Sequence, residues 1–393
     1  MKRVYLDHIA STPLHPEVLE EMLPHLKGNF GNPQSLHSFG QEALRAVDEA
    51  REKVAQLIHV QASEVYFTSS GSESNNFAIK GLALAQRNQG THLVLSAVEH
   101  QSVLHAAKSL EKLGFSTSLV PVDKFGMVNP DEVKKAITPE TVLVSVMLAN
   151  SEVGTVQPVQ EIAEVCRTHD VLFHTDAVAA VGTVPVNVSD LGVDALSLAG
   201  NQFYGPKGSA ALFVKKGRRI LPFIDGGIQE GGRRAGTEDV AAIVGLGQAA
   251  EIAMRDMEKR AESASSLRDR LIHELPQRVG HVFLTGHPEK RLPHHASFCI
   301  EFIEGEAMLL NLDMQGIAAS SGSACTSKAL KASHVLLAMG IDHALAQGSL
   351  VFSLIEDTTS EDIEYLLEVF PPVIERLRKM SPLYTKYLEE KEK

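Results

Sequence analysis

The stretch "VLFHTDAVAAVGTVPVNVSDLGVDALSLAGNQFYGPKGSAALFV", Val171 to Val214, decides the fold. It holds three β-rich runs, "VLFHTDAVAA", "DALSLAG" and "AALFV", that are continuously apolar instead of alternating. That is the pattern of strands covered on both faces. The first run ends at Asp176, where a buried carboxylate needs a cationic or N–H partner. The second leads into a turn closing on Gly205-Pro206-Lys207-Gly208, which can bring backbone close to an anionic group. Yet the polar residues ahead of that loop are Asn201 and Gln202, and neither serves as base or nucleophile at neutral pH.

Outward from this stretch the same grammar covers about residues 60 to 215. Earlier runs are "EVYFTSS", "HLVLSAVEH", "TSLVPVD" and "TVLVSVMLAN", separated by amphipathic segments such as "QSVLHAAKSLEKLG" and "VQEIAEVCRTHD". The expectation is an α/β protein with a mainly parallel, doubly wound sheet. The segment "FIDGGIQEGGRRAGTEDV" reads as an ordered functional loop, and "EIAMRDMEKRAESASSLRDRLIHELPQRV" as a long helix handing the chain onward. A large domain over 15–255 follows, with a smaller α+β domain formed by 1–14 and 256–393.

In open α/β sheets, ligands sit where parallel strands deliver their carboxyl ends. "FTSSGSESNN" puts Gly71 and Ser72 at one such end, as a phosphate cradle or as an ordinary helix cap with Glu73 in the first turn. "SAVEHQSV" puts Glu99 and His100 at the next, and "FHTDAVAA" puts Asp176 at a third. A lone His there is commonly structural, but three polar ends on one sheet edge point to a cofactor cleft.

The formal charge, 37 basic against 49 acidic residues or −12, argues against nucleic acid or an anionic membrane surface as the partner. Three cysteines in 393 residues form no disulfide framework, and no run is long and apolar enough to span a bilayer. A soluble, cytoplasmic protein is expected. The 17 histidines include no paired ligands at zinc spacing, and His294-His295, behind Pro293, reads as a surface turn.

Motifs along the whole chain resemble the cysteine desulfurases, in the class V branch of the fold-type I pyridoxal phosphate (PLP) enzymes. They are "VYLDHIASTPLHPEVLEEMLPHL", "FGNPQSLHSFGQEA", "FTSSGSESNNFAIKG", "VEHQSV", "ANSEVGTVQPV", "HTDAVAAVG", "YGPKG", "RRAGTEDV" and "GSACTS", in family order. In that family a lysine holds PLP as a Schiff base and a loop cysteine attacks the substrate sulfur, leaving alanine and a persulfide. The resemblance implies Asp176 at the ring nitrogen, His100 stacked on the ring, Asn150 near the ring hydroxyl or substrate, and Gly71 and Ser72 at the phosphate. It implies Thr237 reaching the phosphate of a neighbouring subunit, hence a homodimer, and Cys325 as sulfur acceptor. Cys166 and Cys299 then fall in the core. "MSPLY", Met380 to Tyr384, resembles the tail beside which iron–sulfur scaffold proteins dock.

The chain departs from the family pattern at several places together. Ala199 stands at a phosphate-binding Ser, Asn201 at a His and Gln202 at the Schiff-base Lys. Ala179 replaces a ring-hydroxyl Gln, and Val351 and Glu356 replace two Arg, the first of which grips the substrate carboxylate. Lys207 is a lysine the family already has, so it is no ready substitute. The expected function is therefore sulfur transfer or iron–sulfur assembly with the lysine-dependent chemistry lost or strongly reduced. PLP would be held non-covalently or be absent, and Cys325 would carry a persulfide or ligate a transient cluster beside a scaffold or sulfur-acceptor protein. The alternatives are an active desulfurase with altered machinery, and a divergent enzyme of this fold acting on another substrate.

Overall fold

A computed structural model describes residues 2–322 and 332–391. All seven apolar runs form strands of a single sheet. Across it the order is Val65–Thr68, Ala210–Val214, Ala195–Ala199, Leu172–Asp176, Thr141–Ser145, His92–Ser96 and Ser116–Val120. The five strands from Ala195–Ala199 to Ser116–Val120 run parallel, joined by helices such as Gln101–Glu111 and Val159–Thr168. Ala210–Val214 alone runs antiparallel to both neighbours. The cause is its connection: a parallel return needs a crossover of about a dozen residues or more, whereas a tight turn from Gly200 to Ser209 joins these two strands. The inner strands are buried along their whole length, as their continuous apolar character requires.

A second core gathers Val4, Leu6, Phe298, Phe352, Phe370 and their neighbours. It packs beneath the three-stranded antiparallel sheet of Ser349–Ser353, His295–Ile300 and Val282–Leu284. The strand Val4–Tyr5 pairs with Ile317–Ala318, tying the N-terminus to this half.

The helix Val240–Arg278 joins the two halves without interruption. It begins eleven residues before the amphipathic stretch, because "VAAIVGLGQAA" is apolar all round and packs inside the first core. Asp239 caps it, its Oδ1 accepting the Ala242 N–H at 3.1 Å. Glycines let it lie close to the helix Ser38–Leu57: a Cβ on Gly247 would stand 2.6 Å from the Ala50 Cα. His8 clamps the halves, its Nδ1 and Nε2 each 2.9 Å from a carbonyl oxygen, of Leu354 and Gln202 respectively.

The expected surface turn at His294-His295 is corrected. His294 is 4 % exposed and His295 is fully buried as the first residue of the strand His295–Ile300. Burial drives the His295 imidazole down to about 3, so it packs as a neutral ring. Its Nε2 donates to the Ser151 carbonyl at 2.9 Å.

Candidate active site

The polar carboxyl ends of the parallel strands converge as the fold predicts. Asp176 closes its strand and is 6 % exposed. Its Oδ1 accepts the Val178 N–H at 3.0 Å and its Oδ2 the Asn75 amide at 2.6 Å. Burial raises its pKa, against the opposing pull of His100 and of these two donors. Among the described residues no Lys or Arg pairs with it. A cationic N–H is what this carboxylate lacks, and the ring nitrogen of PLP is such a group.

Asn75 extends the arrangement. Its amide also donates to Ser102 Oγ at 2.9 Å, and that hydroxyl lies 2.7 Å from His100 Nδ1. Because Nδ1 also accepts the Ser102 N–H at 3.2 Å, the proton of a neutral ring sits on Nε2. His100, as the cap of the helix Gln101–Glu111, is thereby held in one orientation relative to Asp176. Neither Asn75 nor Ser102 was expected at the site. Both lie inside quoted motifs, but polar residues in the first turns of helices carry no mark that separates a positioning residue from a solvated one.

The end expected to hold phosphate is a helix start. Gly71 opens the helix Gly71–Ala85, whose cap is the Ser70 hydroxyl accepting the Glu73 N–H at 3.1 Å. A Cβ on Gly71 would come within 2.6 Å of Val178 Cγ2, and the bare Cα leaves that approach open. Ser72 is exposed beside it. Glu73 is pulled below its usual range despite burial, by Arg234 at 2.8 Å and by Ser69. Arg234 thus ties the loop bearing the exposed Thr237 to the same helix end.

Asn150 is fully engaged by its own loop. Its Oδ1 accepts the N–H groups of Glu152 and Val153 at 2.8 and 3.0 Å, and its Nδ2 donates to the Val98 carbonyl at 3.0 Å. It lines a cavity of about 110 Å³ together with His100, Glu99, Glu152, His334 and Val351. Ser320, Ser321 and Gly322 complete that wall, so the segment leading to Cys325 begins at the cavity; Cys325 itself lies outside the described residues. Of two carboxyl groups here, Glu152 was missed and Glu99 was placed at a strand end without a role. Burial raises Glu99 to about 8, although its Oε1 accepts from Ser96 at 2.6 Å and from the Met147 N–H at 2.8 Å. Burial raises Glu152 to about 7, with the Ser333 hydroxyl as its partner. "VEH" and "SEVG" did show the two acids, but nothing in the sequence told how dry their surroundings are.

The turn at 200–204 is anchored to the N-terminal segment. Gln202 is 7 % exposed, and its Nε2 donates to the Ile9 carbonyl at 3.0 Å. The Asn201 carbonyl accepts the Thr12 N–H and hydroxyl at 2.9 and 3.1 Å. Lys207 stands exposed at the tip, and Ala199, Ala179 and Val351 are buried. Glu356 does not face this cavity; it pairs with Arg260 at 2.8 Å beside a separate one. Cys166 and Cys299 are buried, and burial pushes both thiols up to about 12. Among the described residues no cluster of three or more His, Cys, Asp or Glu could hold a metal ion, and no helix is long and apolar enough to cross a membrane.

Sheet order, the carboxylate at the strand end and the glycine-opened helix together define a fold-type I, PLP-binding architecture. The chain belongs to the class V aminotransferase family, matching it over residues 4–366. It is 50 % identical over 383 residues to "Cysteine desulfurase IscS" of Dictyoglomus turgidum, covering 97 % of each chain. It is 49 % identical over 393 residues to the IscS of Clostridium botulinum, covering 100 % of this chain and 99 % of that one. Among solved structures it is similar to a NifS-like protein, with a TM-score of 0.90, 36 % identity, and coverage of 96 % of this chain and all of the other. Enzymes of this family depend on PLP.

Proposed function

We propose that this chain is a desulfurase-derived protein of sulfur transfer and iron–sulfur assembly in which the lysine-dependent step is lost or strongly reduced. The observation that carries the reading is Gln202, a buried amide bonded to the Ile9 carbonyl where the family resemblance puts the amine. An amide nitrogen has no lone pair free to attack an aldehyde, and it takes no proton at neutral pH. Losing one general acid–base group costs roughly 10²–10⁴ in rate. The buried Val351 offers no charge to a carboxylate, which removes about 1.5–3 kcal/mol of binding.

Asp176, His100, Gly71 and Ser72 would hold PLP without a covalent tether, whereas Asn150 is taken up by protein partners; bound there PLP supplies an electron sink. There Asp176 would keep the ring nitrogen protonated, and His100, oriented through Ser102 and Asn75, would contact the ring. Cys325, as a thiolate, takes sulfane sulfur from a donor persulfide and releases the donor thiolate, or ligates iron in a nascent cluster. A cytoplasmic homodimer fits this role. Phe30 and Leu36, 81 % and 94 % exposed, lie on a segment joined to the Thr237 loop by the bond from Gln34 Nε2 to Glu238 Oε1 at 3.0 Å. Such side chains ask for a cover, and a second copy that buries them also receives Thr237. Met380 and Leu383, 74 % and 57 % exposed, offer apolar area to a scaffold protein.

The test is a sulfide and alanine assay with cysteine, PLP and a thiol reductant. The expected result is no sulfide above that of a Cys325→Ser variant, with Cys325-dependent cluster loading in anaerobic reconstitution. Sulfide at ordinary enzymatic rates, abolished by Cys325→Ser, would instead establish an active desulfurase.

A further inference from the structure

With no amine at position 202, the cleft keeps in His100 an imidazole that can act as a general base, provided the nitrogen left open has a free lone pair. A chain of three hydrogen bonds decides that point. Asn75 Nδ2 donates to Asp176 Oδ2 at 2.6 Å and to Ser102 Oγ at 2.9 Å, and that hydroxyl stands 2.7 Å from His100 Nδ1. Asn75 is 1 % exposed, and its Oδ1 is enclosed with no hydrogen-bond partner among the described residues. A buried oxygen left unpaired is costly, so the place of this amide in the fold rests on what its amino group does. Only an amide brings two donors on one atom without adding charge.

The direction of each bond follows from what each group can give. As a carboxylate, Asp176 only accepts, which fixes the amide with its amino side toward it. The second amide hydrogen goes to Ser102 Oγ, so that hydroxyl accepts there and has one proton of its own to donate. The Ser102 backbone N–H donates to His100 Nδ1 at 3.2 Å, which makes Nδ1 an acceptor. The hydroxyl, at the shorter distance, gives its proton to the same nitrogen. Nδ1 is thereby spent. The proton of the neutral ring stays on Nε2, which makes no hydrogen bond among the described residues.

We propose that Asn75 and Ser102 are positioning residues that hold the His100 proton on Nε2, so that the ring meets an occupant of the cleft as an N–H donor and not as a base. A neutral imidazole takes up a proton only at the nitrogen that lacks one, and here that nitrogen is the one bonded to Ser102. The partner this ring suits is an oxygen or sulfur acceptor, such as a phenolate, a carboxylate or a thiolate. The inference rests on the reading of position 202 given above and deepens it, since it removes His100 as a replacement for the missing amine.

The test reads the two ring-nitrogen shifts of His100 by NMR in the PLP-free full chain with isotope-labelled histidine, His100→Ala assigning the signals. The parent ring is expected in the Nε2–H form. Ser102→Ala removes the hydroxyl and leaves the longer backbone donor; the share of the Nδ1–H form should rise about 5-fold, seen as convergence of the two averaged shifts. Ser102→Thr, which keeps a hydroxyl, should restore the parent shifts. Asn75→Leu, which strips that hydroxyl of the donor orienting it, should act as Ser102→Ala does; should it fail to fold, the two Ser102 variants carry the test. A parent ring with its proton on Nδ1, shifts unchanged in Ser102→Ala, or a Thr variant no different from the Ala variant would each overturn the assignment. Because no turnover enters the measurement, sulfide production by the parent chain would sink the proposed function and leave this result standing.

Discussion

In the proposed reading the chemistry turns on Gln202 and Asp176, and each yields a direct prediction. Replacing Gln202 with Lys puts an amine beside the Ile9 carbonyl. With PLP that variant is expected to gain a visible absorbance that borohydride bleaches and fixes covalently, while the parent chain gives no such adduct at that position. Asp176→Asn keeps the Asn75 contact but removes the charge. Its affinity for PLP is expected to fall at least ~10-fold by absorbance titration, since a charge-assisted bond contributes about 1.5–3 kcal/mol. An unchanged affinity would place the ring elsewhere. At this scale the sequence was legible where a polar residue interrupts an apolar run, as at Asp176 and His100. It was silent on partnership. Asn75, which bonds Asp176, and Glu99, dried by its surroundings, look in the sequence like any polar residue near a helix start.

Among elements, the close approach of the helices Ser38–Leu57 and Val240–Arg278 rests on absent side chains. Gly247→Ala gains up to about 1 kcal/mol of helix propensity. It also forces a Cβ to within 2.6 Å of a backbone atom, Ala50 Cα, which no rotamer change relieves. Overpacking of that kind costs about 1–3 kcal/mol, so net destabilisation is expected in urea denaturation. The strands themselves were legible as continuous apolar runs, but their directions were not. Ala210–Val214 reads like its parallel neighbours, and only the short connection from Ala199 shows that it must turn back. His294-His295 misled for a related reason: Pro followed by two polar rings has the composition of a turn, and only the packing of two halves encloses it.

For the molecule as a whole, buried titratable groups set a pH optimum of stability. His8 is driven down to about 4, and His174 and His295 to about 3, all by burial. Unfolded, these rings take protons below their ordinary value of 6.5, so their contribution to stability is lost as pH falls from there. Glu99 and Glu152 act in the opposite sense: their folded values of about 8 and about 7 exceed the ordinary 4.5, so stability is lost as pH rises between those limits. With His294, also lowered by burial, four histidines outweigh Glu99, Glu152 and the likewise raised Asp176 below 6.5, and of these groups only the acids act above it. Stability should therefore peak near pH ~6.5 in chemical denaturation, and Glu99→Gln should flatten the alkaline limb. Assembly is testable at the same scale. Leu36→Glu is expected to convert the proposed dimer to monomers in sedimentation, because a charge on that 94 % exposed position cannot be buried unpaired.

The helix Val240–Arg278 runs for 39 residues with one end in each core. At a rise of about 1.5 Å per residue it is a beam of roughly 58 Å, and it carries its only proline, Pro276, in the last turn instead of the middle. A hinge swinging one half away from the other would have to snap this beam's ladder of amide bonds. Entry to either cavity consequently depends on local loop movement, and amides along the central turns should exchange with deuterium no faster than the strands they brace.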